Sequence, residues 1–157
     1  MPTRAVPPPD DRWLRLDHQL CFALYSSSLA MTKLYRPLLD PLGLTYPQYL
    51  AMLVLWEADG ITVSQLGERL LLDSGTLTPL LKRLEAGGLV KRLRDASDER
   101  RVLLQLTREG RALKRRALAV PAQVACASGC ELDELAALTA RLKTLRDQIH
   151  SFHPGVA

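Results

Sequence analysis

Long apolar runs, a leader-like N-terminus and paired cysteines are all missing from this chain. No stretch comes near about 18 uncharged apolar residues, so no transmembrane helix is expected. Residues 1–9 lack the apolar segment of a secretory leader, which makes the cytoplasm the expected location. Only three cysteines occur, Cys21, Cys126 and Cys130, and a reducing compartment disfavours stable structural disulfides. There is no CxxC and no Cys/His spacing of the zinc-binding kind, so neither metal nor cofactor is expected. Glycine is limited to 9 residues, and long stretches consist of Leu, Ala, Arg and Glu, which favours a mainly helical fold. No internal repeat is present.

The 157 residues suffice for one domain with a substantial core. Apolar residues make up 47% and charged residues 24%, the proportions of an ordinary globular chain. A net charge of +4 is compatible with a nucleic-acid partner without establishing one.

Four prolines fall within residues 1–9, and residues 1–13 are expected to form a flexible arm. From Asp17 to about Pro37, Leu20, Leu24, Met31, Leu34 and Leu38 recur at helical spacing. Pro37, Pro41 and Gly43 then break the pattern. Tyr46-Pro47 opens a second helix, with proline at a tolerated first-turn position. Its run from Leu50 to Trp56 is apolar nearly all round, and Asp59-Gly60 ends it. Thr62 and Gln65 have the spacing of a capping box. A short helix with Val63, Leu66 and Leu70 on one face follows. Asp73-Ser74 begins the next, with Leu77, Leu80, Leu81 and Leu84 as its stripe, stopped by Gly87-Gly88. Two short helices so spaced make a helix-turn-helix.

Residues 89–94 and 102–106 flank a polar stretch and predict a hairpin with a charged tip. Thr107 caps a long helix, interrupted at Gly129, and Glu131 to about His150 forms the last one. The fold expected is mainly α with a small β-hairpin wing. A winged helix-turn-helix unit at 46–107 lies between two amphipathic segments, 14–45 and 108–152. These segments connect to nothing else and are expected to pair with those of a second copy. Such a dimer reads half-sites one DNA turn apart, roughly 34 Å.

The helix after Asp73 keeps Ser74, Thr76, Thr78, Pro79, Lys82 and Arg83 off its core stripe. Short hydroxyls near a helix N-terminus reach phosphates or base edges, and the N-terminus itself favours phosphate. Arg83 suits a guanine or a phosphate. In the hairpin, an Arg at the tip can enter a narrow minor groove. Arg100 is assigned as that probe and Asp98 as its brace through a charge-assisted hydrogen bond. Asp73 and Arg94 complete the candidate DNA-contacting set. A solvated helix face and a turn that merely keeps the hairpin soluble are the alternatives.

Residues 62–110, TVSQLGERLLLDSGTLTPLLKRLEAGGLVKRLRDASDERRVLLQLTREG, resemble the winged-helix core of the MarR superfamily. The segment DSGTLTPLLKRLE and the pattern DERxVxxxLTxxG carry the resemblance, which extends to about residues 14–150. It implies a transcriptional regulator, not an enzyme, bound to double-stranded, pseudo-palindromic DNA as a homodimer.

Cys21 lies in register with the apolar stripe of the first helix, where a cysteine is commonly a small buried hydrophobe. With Asp17 as cap, it would also lie in the first turn, where the helix dipole favours a thiolate. Cys21 with Tyr25, Tyr35 and Tyr46 resembles the OhrR branch, the organic-hydroperoxide repressors. The resemblance implies that Cys21 is the sensing thiol. Tyr35 and Tyr46 would donate hydrogen bonds to its thiolate, with Tyr25 a nearby ring. Cys126 matches the resolving cysteine of the two-cysteine subclass, whereas Cys130 departs from the pattern. Tyr35 is 14 residues beyond Cys21, a separation of about 21 Å along one helix. If they meet, Tyr35 must come from the partner subunit.

Two rival functions remain at this point. A small aromatic ligand could trigger the same fold from a pocket between the dimer arms and the winged unit, lined by Leu24, Met31 and Trp56. A thiol peroxidase could use Cys21, but it would leave the winged helix without a role.

Overall fold

The computed structural model describes residues 10–152. The chain enters through two 3-10 turns, Asp11–Leu14 and Leu16–His18. Asp10 caps the first by accepting from the Arg12 amide at 2.9 Å. Residues 10–13 of the expected arm form this capped turn, and residues 1–9 lie outside the described residues.

Helix α1 spans Leu20–Leu39. It starts later than expected: Gln19 is its N-cap, and Asp17 sits in the preceding turn. The Gln19 side chain turns back to donate to the Trp13 carbonyl, so it does not cap the helix. α1 runs through Pro37, which costs it the bond to the Lys33 carbonyl, and ends at Leu39 ahead of Pro41, which has no N–H for the Pro37 carbonyl.

Helix α2, Tyr46–Glu57, opens with a capping box between Thr45 and Gln48. The box stands beside the first-turn Pro47 and adds a signal that the proline alone does not carry. Helix α3, Val63–Leu70, uses the expected pair Thr62 and Gln65. Helix α4, Ser74–Ala86, is capped by Asp73, which accepts from the Thr76 amide at 2.7 Å. Gly67 lets α3 and α4 close up, since a Cβ there would press on Leu77 and the Leu72 carbonyl.

Strands β1, Val90–Arg94, and β2, Val102–Leu106, pair antiparallel in the register Val90 opposite Leu106 to Arg94 opposite Val102. Thr62 bridges to Leu103, so the start of α3 is tied to the hairpin. Thr107 caps α5, Arg108–Ala117, and its hydroxyl also meets the Gly88 carbonyl at 2.6 Å. Gly110 is required in α5, because a Cβ would run into the carbonyl of Leu89.

The long helix expected after Thr107 is two helices. α5 ends at Ala117, and α6 spans Val120–Ser128. Pro121 explains the break: it has no N–H for the Ala117 carbonyl, and its ring displaces that carbonyl. Helix α7, Leu132–Ser151, follows a Glu131/Glu134 capping box.

The core lies at the winged centre. Met52 and Leu55 of α2 pack with Leu66, Leu77, Leu81, Leu84 and Leu104, joined by Val120 of α6. Fully burying one such side chain contributes about 1.5–3 kcal/mol. α1 gives this core one buried residue, Leu39, and α7 gives none.

Candidate functional site

Two constellations emerge from this frame, one on the winged face and one along α1. On the winged face, Ser74, Thr76, Thr78, Pro79, Lys82 and Arg83 are all exposed, while Leu77, Leu80, Leu81 and Leu84 turn inward. This is the division expected from the leucine spacing. Asp73 is occupied as a cap, and hydrogen bonds from Thr76 and Gly75 hold its carboxyl below the usual range. Its role is thus to start the helix that carries the other candidates.

Arg100 extends from the wing tip with 92% of its side chain exposed, and its Nε lies 3.3 Å from Asp98. Asp98 also accepts from the Arg100 amide at 3.1 Å. The brace and probe geometry is present. Arg94, at the end of β1, is exposed. The sequence reading missed Asp95, which accepts from the Ser97 amide and hydroxyl at 2.9 and 2.7 Å and pairs with Arg101. These contacts shape the tip before any partner arrives.

Between wing and helices lies a groove of about 360 Å³ lined by Thr62, Ser64, Thr78, Arg92, Arg100 and Arg101. Three arginines and three hydroxyl-bearing residues share this lining with Val63, Leu81 and Val102, and Arg100 and Arg101 are paired with Asp98 and Asp95. Arg92 is braced by Glu85, with Nη2 to Oε2 at 2.6 Å. Neither Arg92 nor Ser64 stood out in the sequence, because each faces the groove only once the hairpin folds back over α3. The arrangement suits a polyanion.

Along α1, Cys21 is the second helical residue, so it does lie in the first turn, though Gln19 replaces Asp17 as the cap. It is exposed, as are Cys126 and Tyr25, whereas Cys130 is half-buried. All three cysteines are free thiols. α1 continues unbroken from Leu20 past Tyr35, which leaves Cys21 and Tyr35 of one chain about 21 Å apart.

Tyr35 instead stacks on Tyr46, with ring centroids 4.8 Å apart, and on Tyr49 at 5.6 Å. Tyr49 was not singled out in the sequence, since it sits within an apolar run and is nearly fully buried. Burial, helped by Tyr49 and Tyr46, pushes the Tyr35 hydroxyl from 10.0 up to about 12. Tyr46 is also raised by burial. Both hydroxyls therefore keep their protons at neutral pH and remain hydrogen-bond donors.

Among the described residues of one chain, Leu24, Met31 and Trp56 do not line a common cavity. Leu24 faces Leu142, Leu145 and Ile149 across a cleft of about 290 Å³ between α1 and α7. Trp56 lines a different cavity, of about 240 Å³, with Tyr49, Leu53 and Ala117. Met31 packs on the core. Periodicity put these residues on apolar faces but could not tell which face met which.

Comparisons with known proteins agree with this geometry. The family model for the transcriptional regulator SarA/Rot matches residues 33–117. The chain is 50% identical over 137 residues to the organic hydroperoxide resistance transcriptional regulator of Bacillus subtilis, covering 87% of this chain and 93% of that one. It superposes on reduced AbfR bound to DNA with a TM-score of 0.73 at 35% identity, over 88% of this chain and 96% of that one. AbfR is a protein of Staphylococcus epidermidis. Against disulfide-formed AbfR the TM-score is 0.60 at 38% identity, over 86% and 95% of the two chains. With its winged helix, its thiol on α1 and these relatives, the chain belongs to the OhrR-type regulators of the MarR winged-helix superfamily, transcriptional regulators and not enzymes.

Proposed function

We propose that this regulator is a homodimeric repressor that holds operator DNA while Cys21 is reduced and releases it after oxidation by an organic hydroperoxide. The observation that carries the reading is the continuity of α1. Cys21 at one end cannot reach Tyr35 of its own chain, while the donors that suit a thiolate are stacked at the other end. Two crossed copies of α1 would bring Cys21 to Tyr35 and Tyr46 of the partner subunit. The apolar residues that α1 and α7 leave exposed supply the surface for that crossing.

The chemistry balances without a cofactor. The Cys21 thiolate attacks the outer peroxide oxygen, the O–O bond breaks, and the alkoxide takes a proton to leave as an alcohol. Cys21 is now a sulfenic acid. The thiol of Cys126 of the partner subunit displaces its hydroxyl as water and forms an intersubunit disulfide. That bond needs Cα atoms within about 7 Å. Closing it drags α1 toward α6, and α5 joins α6 to the wing. Disulfide-formed AbfR superposes less well than reduced, DNA-bound AbfR, which supports a difference in backbone between those two forms of that protein. Half-site spacing is strict, so a shift of a few ångströms releases DNA.

Non-reducing electrophoresis before and after tert-butyl hydroperoxide, run beside a DNA shift assay, tests the reading. The wild type is expected to double its covalent mass and release DNA. Cys126→Ser is expected to trap sulfenic acid at Cys21 yet form no covalent dimer, and Cys130→Ser to behave as wild type. Release by hydroperoxide in Cys21→Ser overturns the reading. A crosslink lost in Cys130→Ser and kept in Cys126→Ser reverses the two roles.

A further inference from the structure

Asp59 lies in the turn between α2 and α3 and does not line the groove shared by Arg92, Arg100 and Arg101. Its Oδ1 accepts from the Leu106 amide at the end of β2, at 2.8 Å, and from the Gly60 amide at 3.0 Å. Its Oδ2 accepts from Nη2 of Arg111 on α5, at 2.7 Å. Burial alone would push this carboxyl up, but the bonds from Leu106, Arg111 and Gly60 outweigh it and hold the group below its ordinary value. It is a carboxylate at neutral pH.

The surroundings make this carboxylate a junction. On one side the turn is stitched to the wing: the Gly60 amide meets the Leu104 carbonyl at 3.0 Å, and the Leu104 amide meets the Ile61 carbonyl at 2.8 Å. On the other side α5 is clasped to α2. Trp56 Nε1 donates to the Gly110 carbonyl at 2.8 Å, and Lys114 Nζ donates to the Trp56 carbonyl at 3.0 Å. Asp59 is where α2, wing and α5 meet.

We propose that Asp59 is a positioning residue for DNA binding, fixing the direction of the wing against α5 through Leu106 and Arg111. The proposal rests on the reading of the wing as a DNA-contacting element. A two-stranded hairpin has little stiffness of its own in water, so its aim must be set at its base. The last anchor before the tip is the Thr62 bridge at Leu103, three residues from Arg100, which leaves a lever of about 10 Å. A rotation of about 10° there moves the tip by about 2 Å, a third of the width of a minor groove that is about 6 Å across. Arg100 at the tip therefore depends on a carboxylate it never touches.

The test uses the full reduced chain and a duplex that the wild type selects from a random-sequence pool. Asp59→Ala and Arg111→Ala are each expected to weaken binding to that duplex by about tenfold. Asp59→Asn, which keeps an acceptor for the amides and loses the charge, should fall between. The decisive readout is a cycle with the wing tip. Arg100→Ala weakens the wild type but should cost less than about threefold more in Asp59→Ala, because the tip is already misplaced. A mere loss of stability would leave the two effects multiplicative.

Multiplicative effects, or undiminished binding by an Asp59→Ala chain with the wild-type circular dichroism spectrum, overturn the proposal. If Asp59→Ala does not fold, Asp59→Asn and Arg111→Gln decide through the same cycle. If the reduced wild type selects no duplex, the DNA-binding reading falls and this one with it. If it selects one and Arg100→Ala weakens it, only the role of Asp59 is at stake.

Discussion

Leu66 and Leu104 at the winged centre are completely buried, whereas Leu20 on α1 and Leu138 on α7 are more than half exposed. The contrast runs through the whole chain. From α2 to α5 each helix begins at a side-chain cap and buries a stripe or face within its own chain. α1 and α7 are 20 residues each, yet together they contribute a single buried residue. The centre is a finished structure in one copy. The outer helices leave apolar residues exposed that, on the proposed reading, a second copy covers.

The largest expected effect comes from breaking the outer half. Leu24→Asp combined with Leu142→Asp places two charges on the exposed apolar surface, where pairing would bury them at high cost. Sedimentation should show the mass falling from dimer to monomer. Affinity for a two-half-site duplex should drop about a hundredfold or more, as linked binding is lost. The helical signal of the winged centre should survive. An unchanged dimer mass contradicts the assignment of these faces.

The next comparison sharpens the contrast within one residue type. Leu66→Ala should cost about 2–5 kcal/mol in denaturant unfolding at any protein concentration. Leu138→Ala should cost little in dilute protein and as much as a core leucine once copies associate. Equal, concentration-independent costs would make α7 an ordinary surface helix.

A smaller effect belongs to the wing. Arg100→Ala should weaken binding and lower the slope of log affinity against log salt by about one, with Asp98→Ala weaker in both. Affinity and slope unchanged in Arg100→Ala would reduce the wing to a soluble turn.

The smallest effect is alkaline. The Tyr35 hydroxyl titrates near 10.0 when unfolded and at about 12 in the fold. A raised value means the native state holds the proton more tightly. Its contribution is fully present below pH 10 and lost as pH rises toward 12. Tyr35→Phe should flatten that alkaline limb in thermal melts. A limb of the same steepness in the variant would show that Tyr35 is not its source.

The winged centre was readable from the sequence because its signals are local. Thr62 with Gln65, Asp73 before Ser74, and the leucine spacing of α4 each act within one or two turns. The break between α5 and α6 was equally local, but Pro121 lies in a run of small apolar residues that reads as helix unless the missing amide is counted. Asp59 could not be read at all. It looked like a helix stop, and its partners Leu106 and Arg111 are 47 and 52 residues away. Tyr49 was hidden for another reason: inside an apolar run, nothing distinguishes a ring that stacks on Tyr35 from one that only fills space. Leu24, Met31 and Trp56 line no common cavity within one chain, because periodicity assigns a face and never its neighbour.

The unbroken length of α1 has a consequence for how such a regulator behaves in small numbers. With the thiol at one end of a rigid rod and its hydrogen-bond donors at the other, a solitary chain following the proposed mechanism carries every part of a detector and assembles none of it. Detection begins only when two copies meet. A newly made or heavily diluted molecule is blind to oxidant and weak on DNA for one shared reason. On the proposed mechanism its abundance would act as a second input: below the concentration at which copies pair, hydroperoxide would go unregistered, and above it grip and sensitivity would arise together.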